Sequence, residues 1–323
     1  MRCLALAQTW QKVGLESFFV VSTELGEWQN RLRQEGISIH PLSASAGSSE
    51  DRVETIALAK HLGAAWLVVD NYHFDAQYQQ QVKAAGLKLL FIDDYGHAEH
   101  YYADIVLNQN ICADESLYLH RESYTQLLLG CRYVLLRQEF LQWQKWQRKI
   151  PGVAKKILVT LGGGDPDNVT FKVIKALQQI ELQGLESIVI VGGSNPHYKQ
   201  LQAAVQKSLA PISLKQNVAN MPELMAWADI AIAAGGSTNW ELAFMGLPSI
   251  IIVLAENQRK IAEELFRLGL AIGLGWHQDV SVEIIKRKLV HLLASLEQRY
   301  KMSQKGKDLV DGLGSNRVLR FIQ

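Results

Sequence analysis

The segment AAGGSTNWE (233–241) combines residue types that bind anions at the end of a strand. Gly235 and Gly236 follow the apolar run DIAIAA, and Ser237 and Thr238 begin a helical pattern. Glycines let a ligand approach the backbone closely, and the free N–H groups of a first helical turn, together with the helix dipole, favour negative charge. The spacing therefore predicts a diphosphate site at this turn.

Glu241 has two possible roles in the same segment. Thr238 followed three residues later by Glu241 is the pattern of a capping box, in which the carboxylate closes its own helix and touches no ligand. A capping box needs no glycine before it, so the doubled glycine favours ligand contact. Both interpretations stay open at the level of sequence.

Amide side chains follow two other strands of the second half. The segment LGGGDPDN ends at Asn168, and the segment VLAENQ carries Asn257 and Gln258. Amides present both donors and acceptors, which suits sugar hydroxyls. Each position is also compatible with an ordinary helix start, since Asp165 is a good N-cap and Pro166 a good first helical residue.

The first half offers acids at its strand ends. Asp70 ends the run WLVVD, with Tyr72 just behind it, and Asp94 follows the run LLFID. Two such carboxylates could bind sugar hydroxyls or orient a water molecule. Aspartate after a strand also often caps a turn, so the structural interpretation has equal weight.

The composition narrows the classes of partner. Of 323 residues, 48% are apolar and 20% are charged, which is typical of a globular chain. The 33 basic and 32 acidic residues give no broad field for nucleic acid or an anionic membrane, and no apolar run approaches the ~20 residues of a membrane span. We therefore expect neither nucleic acid nor membrane as a partner.

The cysteines and histidines argue against a disulfide framework or a metal site. Cys3, Cys112 and Cys131 are odd in number and have no CxxC spacing, which is typical of thiols in a reducing compartment. The nine histidines show no metal-ligand spacing. The sequence thus predicts a cytoplasmic protein without a bound metal.

Short apolar runs alternate with helical segments along most of the chain. Strands that are apolar on both faces and are joined by helices indicate parallel sheets covered on both sides, and ligands of such sheets bind beyond the carboxyl ends of the strands. The predicted strands are 17–22, 37–42, 66–70, 87–93, 104–109, 156–161, 187–192, 212–216, 229–234 and 248–254. The predicted helices are one from the first residue and then 27–35, 51–62, 75–85, 167–180, 197–209, 221–227, 238–245, 256–268 and those after 280.

The alternation pauses around 138–155, where a Trp-rich charged segment leads to Pro151 and Gly152. We place the domain boundary there. The prediction is a first Rossmann-like lobe over 1–149 and a second over 150–323, the second including the C-terminal helices.

Several blocks of the chain resemble a known family. GCRYVLLRQEF, LGGGDPDN, GGSNPH, MPELMAWADIAIAAGGSTNWELAFMGLPSIIIV and ENQ are similar to the UDP-2,4-diacetamido-2,4,6-trideoxy-β-L-altropyranose hydrolases of pseudaminic acid biosynthesis. A looser resemblance extends to the GT-B glycosyltransferases, including the N-acetylglucosaminyltransferase that forms lipid II. The resemblance implies a GT-B-like α/β fold of two Rossmann-like parallel-sheet domains with a cleft between them.

The resemblance also implies an activity and a set of residues. The reaction is hydrolysis of the C1–O bond of a UDP-sugar with inversion, with water as acceptor, by a monomer that needs neither cofactor nor metal. Asn168 and Glu241 would bind the substrate, Glu241 through the ribose. Gly236, Ser237 and Thr238 would line the diphosphate. The positions matched more loosely to the sugar are Asp70, Tyr72 and Asp94.

The first residues resemble the continuation of a motif. A helix that leads into a parallel strand should itself follow an earlier strand in a right-handed crossover. In the resembling family, the general base is a histidine of a Gly-x-Gly-His loop ahead of an arginine that begins the first helix, and Arg2 to Ala7 match the residues that come next. We therefore expect that the native start lies upstream or that the product is truncated, without its first strand and without this histidine.

Two other functions remain open at this stage. One is a GT-B glycosyltransferase that moves the sugar from UDP to an acceptor, and the other is a nucleotide-sugar-binding protein without catalysis.

Overall fold

The computed structural model describes residues 1–22 and 27–323, which form two compact units. The first unit comprises Met1–Gln138 and Gly312–Gln323, and the second comprises Glu139–Asp311. This division differs from the predicted one at both ends of the second lobe. The boundary precedes the Trp-rich segment, and the last helix is part of the first unit.

Half-buried hydrogen bonds of Arg148 explain the earlier boundary. The Arg148 guanidinium donates to the carbonyls of Met225 (2.5 Å) and Met245 (3.1 Å), and thereby fixes the Trp-rich segment to the second unit. At the C-terminus, Gly314 lies so close to Val134 that a Cβ would stand 2.1 Å from the Val134 carbonyl oxygen. Only glycine permits this approach, which brings the last helix onto the first unit.

The first unit contains parallel sheets, as predicted. Among the described residues, β1 pairs with β2, and a separate sheet has the order β3-β4-β5-β6. The strands are β1 (Phe18–Val21), β2 (Ser38–Pro41), β3 (Trp66–Val69), β4 (Lys88–Ile92), β5 (Ile105–Asn108) and β6 (Gln126–Leu129). The helices are α1 (Arg2–Gln11), α2 (Glu27–Gln34), α3 (Ser49–His61), α4 (Ala76–Ala84), two 3₁₀ turns (Glu115–Tyr118, Cys131–Tyr133) and α13 (Gly314–Leu319).

Helix α1 packs on both sheets of the first unit. Leu4 and Ala7 are buried with side chains of the β1-β2 sheet, whereas Ala5 and Leu6 are buried with Leu90 and other residues of the four-stranded sheet. Neighbouring positions are buried all round the first half of the helix, because one helix covers parts of two sheets.

The second unit is a parallel six-stranded sheet in the order β12-β11-β10-β7-β8-β9. Its strands are β7 (Lys156–Thr160), β8 (Glu186–Val191), β9 (Ile212–Gln216), β10 (Ile230–Ala234), β11 (Ser249–Val253) and β12 (Ala271–Trp276). The helices are α5 (Gln138–Leu141), α6 (Val169–Leu177), α7 (Tyr198–Gln206), α8 (Met221–Trp227), α9 (Thr238–Phe244), a 3₁₀ turn (Glu256–Gln258), α10 (Arg259–Arg267), α11 (Val282–Ala294) and α12 (Leu296–Leu309).

The order of the strands positions the loops of interest. Strand β10 lies between β7 and β11, and every residue of β10 and β11 is buried. Because all three strands are parallel, the loops that follow them emerge at the same edge of the sheet. The predicted ligand segments LGGGDPDN, AAGGSTNWE and VLAENQ therefore occupy one edge of the second unit.

None of the helices in the described ranges combines the length and the apolar character that crossing a bilayer requires.

Candidate functional site

The turn between β10 and α9 is shaped by two amide side chains. The Asn239 Nδ2 group donates to the carbonyls of Ala234 (3.0 Å) and Gly236 (2.8 Å). The Gln258 Oε1 atom accepts from the backbone N–H groups of Gly235 (3.1 Å) and Leu254 (3.0 Å). The Ala234 and Gly236 carbonyls and the Gly235 N–H group are thus bound within the protein.

The next three N–H groups of the chain are uncommitted. Within residues 1–22 and 27–323, the backbone N–H groups of Gly236, Ser237 and Thr238 have no hydrogen-bond acceptor. Ser237 is exposed, and Gly236 and Thr238 are half-buried. Successive unpaired N–H groups at the start of a helix form a concave donor surface for an anion. The predicted diphosphate position therefore has the donors that its chemistry requires.

The capping-box interpretation takes Thr238 as the N-cap, whereas the N-cap is Ser237. Helix α9 begins at Thr238 with Ser237 as N-cap, and the Ser237 side chain makes no capping hydrogen bond. Thr238 is the first helical residue, so Glu241 lies one position beyond that of a capping-box acid. Glu241 is half-buried and has contacts of its own.

Gly235 and Gly236 are glycines for different reasons. A Cβ on Gly235 would lie 2.9 Å from the Gln258 Cβ, so the protein's own packing excludes a side chain there. A Cβ on Gly236 would meet nothing closer than the Gln258 Nε2 atom at 3.9 Å. The backbone of Gly236 also avoids the left-handed region. Packing alone would thus permit an alanine at this position.

The loop after β7 places Asn168 in a strained conformation. Asp165 and Asn168 have φ angles of 42° and 53°, a left-handed region that costs non-glycine residues free energy. The Asn168 Nδ2 group donates to the Gln200 Oε1 atom (2.8 Å), while the Asn168 Oδ1 atom is enclosed without a partner in the described part of the chain. Such strain is characteristic of functional loops.

The start of the following helix differs from the prediction. Asp165 does cap it, since its carboxylate accepts from the N–H groups of Val169 and Thr170 (both 2.8 Å). Helix α6 begins only at Val169, however, so Pro166 is not its first residue. The chain makes an extra turn at 165–168, which a simple cap-plus-proline pattern does not predict.

Gln258 and Asn257 lie in the 3₁₀ turn after β11. Because the Gln258 Oε1 atom is bound by two backbone N–H groups, this side chain cannot offer both ends of its amide to a sugar. Only its Nε2 end faces the turn at Gly236. Asn257 is exposed and engaged in a contact.

In the first unit, the predicted acids converge on Arg2. The Arg2 guanidinium contacts Asp70 Oδ1 and Asp94 Oδ1, each at 2.5 Å. The Tyr72 hydroxyl donates to Asp94 Oδ2 (2.6 Å), and the Asn110 amide donates to Asp94 Oδ1 (2.7 Å). Because β3 and β4 are neighbours, their carboxyl ends and the start of α1 meet in one cluster, which we call the Arg2 cluster (Arg2, Asp70, Tyr72, Asp94, Asn110).

The Arg2 cluster lowers the pKa of Asp94. Burial by itself would raise the pKa of the Asp94 carboxyl, but the Arg2 charge and the hydrogen bonds from Arg2, Tyr72 and Asn110 outweigh it and keep the pKa below its ordinary value. Asp94 is therefore an ionised carboxylate that accepts hydrogen bonds from Arg2, Tyr72 and Asn110. Such a group orients polar partners well and accepts a proton poorly.

His97 is also unsuited to act as a base. Its Nδ1 atom lies 3.3 Å from Asp93 Oδ1 and its Nε2 atom lies 3.2 Å from the Phe74 carbonyl, so both ring nitrogens face acceptors. Burial would lower the pKa of the imidazole, yet Asp93 and the Phe74 carbonyl raise it above its ordinary value. These two acceptors favour the protonated form of the ring.

Two residues of these sites escaped the sequence analysis. Asn239 stands inside AAGGSTNWE, three residues after Gly236, and that spacing allows a side chain of the first helical turn to reach back to the turn's carbonyls. Asn110 follows β5, and its role depends on the pairing of β4 with β5, which no local pattern reveals.

Across the described residues, no group of three or more His, Cys, Asp or Glu side chains is arranged to bind a metal ion.

Comparison with known proteins identifies the fold. The model of the glycosyltransferase family 28 C-terminal domain matches residues 156–313. MurG of Acinetobacter baumannii superposes with a TM-score of 0.68 at 14% identity, over 100% of this chain and 95% of that one. Anabaena Alr3699/HepE, solved in complex with UDP and glucose, gives 0.64 at 12% identity, over 99% and 94%. The chain therefore has a GT-B glycosyltransferase-like α/β fold with two Rossmann-like domains, and the predicted fold class is confirmed.

Two curated relatives come from polysaccharide and sugar biosynthesis. The spore coat polysaccharide biosynthesis protein SpsG of Bacillus subtilis is 27% identical over 237 residues, which are 73% of this chain and 69% of SpsG. The pseudaminic acid cytidylyltransferase and UDP-2,4-diacetamido-2,4,6-trideoxy-beta-L-altropyranose hydrolase of Helicobacter pylori is 25% identical over 210 residues. That match covers 64% of this chain and 37% of the relative. The similarity thus supports a glycosyltransferase-like family.

Proposed function

We propose that this protein is a UDP-sugar hydrolase. The substrate is UDP-2,4-diacetamido-2,4,6-trideoxy-β-L-altropyranose, and cleavage at C1–O releases UDP and the free sugar for pseudaminic acid synthesis. The observation that carries the proposal is the row of three unpaired backbone N–H groups at Gly236, Ser237 and Thr238. The sequence similarity to the Helicobacter pylori enzyme supports the choice of substrate.

The chemistry requires stabilisation of the leaving group. As the C1–O bond breaks, negative charge grows on the diphosphate, and preorganised N–H donors stabilise that charge. The row at Gly236, Ser237 and Thr238 supplies such donors in the second unit. We assign Glu241 to the ribose hydroxyls, and Asn168, Asn257 and Gln258 to the rim of the same nucleotide-sugar site.

The Arg2 cluster has a supporting role in this proposal. Asp70, Tyr72 and Asp94 would bind polar groups of the sugar, because the two carboxylates are held by Arg2 and Tyr72 is exposed. Inversion needs a base that activates water on the face of the sugar opposite to the leaving group. The depressed pKa of Asp94 argues against it as that base, and the two acceptors that face the His97 ring nitrogens argue against His97.

A glycosyltransferase is the second candidate, favoured by the family 28 match over residues 156–313. The two functions differ in their need for an acceptor. Purified protein is incubated with the UDP-sugar alone, and UDP and free sugar are quantified over time. Release of UDP without an acceptor supports the hydrolase. Release only after an acceptor is added contradicts it, and UDP binding without turnover under either condition identifies a non-catalytic binding protein.

A further inference from the structure

We infer that Asn239 and Gln258 are positioning residues for the diphosphate, which act on the diphosphate through the backbone and not by touching it. The inference rests on the proposed function, because it explains how the donor row at Gly236, Ser237 and Thr238 is kept aimed outward. Asn239 binds carbonyls of the turn and Gln258 binds an N–H group, so together they fix the Ala234–Gly235 and Gly236–Ser237 peptide planes.

Asn239 holds the Ala234 and Gly236 carbonyls towards the protein. Its Nδ2 group donates to Ala234 O and Gly236 O, and its own backbone N–H donates to Gly236 O as well (3.1 Å). A carbonyl facing the ligand would repel a diphosphate. Since a peptide carbonyl and the following N–H point in opposite directions, anchoring Gly236 O inward directs the Ser237 N–H outward.

The burial of Asn239 shows that it does not bind the ligand itself. The residue is 4% exposed, and its Oδ1 atom has no partner within the described ranges. An unsatisfied buried acceptor is costly, so an apolar residue would suit this place better if packing were the only requirement. The two bonds donated by Nδ2 are the benefit that offsets this cost.

Gln258 anchors the other side of the turn. Its Oε1 atom joins the N–H groups of Gly235 and Leu254, and so ties the carboxyl end of β10 to that of β11. Gln258 also packs so closely on Gly235 that no Cβ fits there. The bond removes the Gly235 N–H from the donor row, and the row therefore begins at Gly236.

The inference is tested by comparing affinities for UDP and for uridine, which has no phosphate. In Asn239→Ala and Gln258→Ala, we expect UDP to bind about tenfold more weakly, because hydrogen bonds to a charged group are misaligned. Uridine affinity should stay within twofold of wild type. A local collapse of the site would weaken both ligands alike, and that outcome would overturn the positioning role.

A matched control removes a comparable bond elsewhere in the second unit. Gln178 Nε2 donates to Ala204 O (2.9 Å) at the end of α6, so Gln178→Leu loses one bond from a side chain to the backbone but should leave both affinities unchanged. If wild type binds UDP no more tightly than uridine, the proposed diphosphate site itself is wrong. If wild type prefers UDP and both alanine variants keep that preference, only the positioning role is wrong.

Amide hydrogen exchange gives a second readout that needs no ligand. In the 323-residue chain, Gln258→Glu keeps the acceptor oxygen and should retain the protection of the Gly235 and Leu254 amides. Gln258→Ala should lose the protection of both while amides in the middle of β10 stay protected. Equal protection in the two variants would show that Gln258 does not set the turn.

Discussion

Gly236 and Gly235 are adjacent residues that differ in what an added side chain would meet. Gly236→Ala introduces a methyl group into open space, so we expect a melting temperature within about 2 °C of wild type. UDP affinity should fall at least about tenfold, because the methyl group occupies the approach of the diphosphate to the donor row. Thermal melts and calorimetric titration with UDP provide both values.

Gly235→Ala is the informative partner of that variant. Its Cβ would lie 2.9 Å from Gln258 Cβ, and the strand end must shift to admit it. We expect a lower melting temperature in this case. An unchanged UDP affinity in Gly236→Ala would contradict the placement of the diphosphate at the turn.

Glu241 can be assigned by separating affinity from stability. If its carboxylate binds the ribose hydroxyls, Glu241→Ala should weaken UDP binding by about 1–3 kcal/mol, and binding of a 2′,3′-dideoxy analogue should change little. A fall in melting temperature with the same UDP affinity would instead indicate that the carboxylate serves its own helix.

Asn168 offers a variant that relieves strain while it removes the side chain. Its φ of 53° is accessible to glycine without cost, so Asn168→Gly should leave the melting temperature equal or raise it. If the amide binds substrate, UDP release from the UDP-sugar should slow about tenfold or more. Steady-state kinetics measures this effect, and wild-type kcat and KM in the variant would remove Asn168 from the site.

At the scale of elements, the loop after β4 links the first unit's stability to pH. The pKa of His97 is raised in the folded state. Its contribution to the free energy of unfolding is therefore complete below the pKa of the unfolded chain, about 6.5, and is lost as the pH rises through the pKa of the folded state. Denaturant melts of the full chain between pH 5 and 9 should show stability falling towards the alkaline end. The His97→Gln variant should flatten that slope, and an equal slope in both proteins would exclude His97 as its cause.

Asp93 in the same loop acts at the acidic end. Burial would raise the pKa of its carboxyl, but hydrogen bonds from His97, Tyr101 and the Tyr95 N–H lower it to about 2. Its contribution to the free energy of unfolding is therefore present above the pKa of the unfolded chain, about 3.9, and is lost as the pH falls towards 2. Together, Asp93 and His97 make this loop most stable between about pH 3.9 and about pH 6.5.

The sequence predicted elements best where local pattern and packing agree. Every predicted strand exists, because runs such as SIIIVL at β11 are apolar on both faces. Strands β6 and β12 were not predicted. The segment QLLL of β6 is too short to separate from a helical pattern, and Gly273 and Gly275 weaken the strand signal of β12.

The candidate site was predictable only in part. Glycines and amides at strand ends indicated the edge of the sheet, since that edge is a property of all parallel sheets. Which amide binds the backbone and which faces outward depends on distances between separate loops. Gln258 and Gly235, for example, are far apart in sequence and in direct contact in the fold.

At the scale of the whole molecule, Arg148 fixes where the second unit begins. Its guanidinium donates to the carbonyls of Met225, Ala228 and Met245 and lies 4.9 Å from the Trp146 ring centroid. Burial lowers the pKa of this group to about 9. Arg148→Met leaves these carbonyls unpaired and should lower the free energy of unfolding of the second unit by about 3 kcal/mol. The exposed neighbour Lys149 provides the control Lys149→Met, which should change it by less than about 0.5 kcal/mol. Equal denaturant midpoints for the two variants would contradict this role.

The return of α13 to the first unit makes the polypeptide pass from one unit to the other twice. A single proteolytic cut between Gln138 and Glu139 would therefore leave twelve residues of the first unit attached to the wrong fragment, since Gly312–Gln323 is part of it. A self-contained second unit would be expressed as 139–311. A self-contained first unit would need a short engineered linker in place of residues 139–311, so that helix α13 could still pack beside α1.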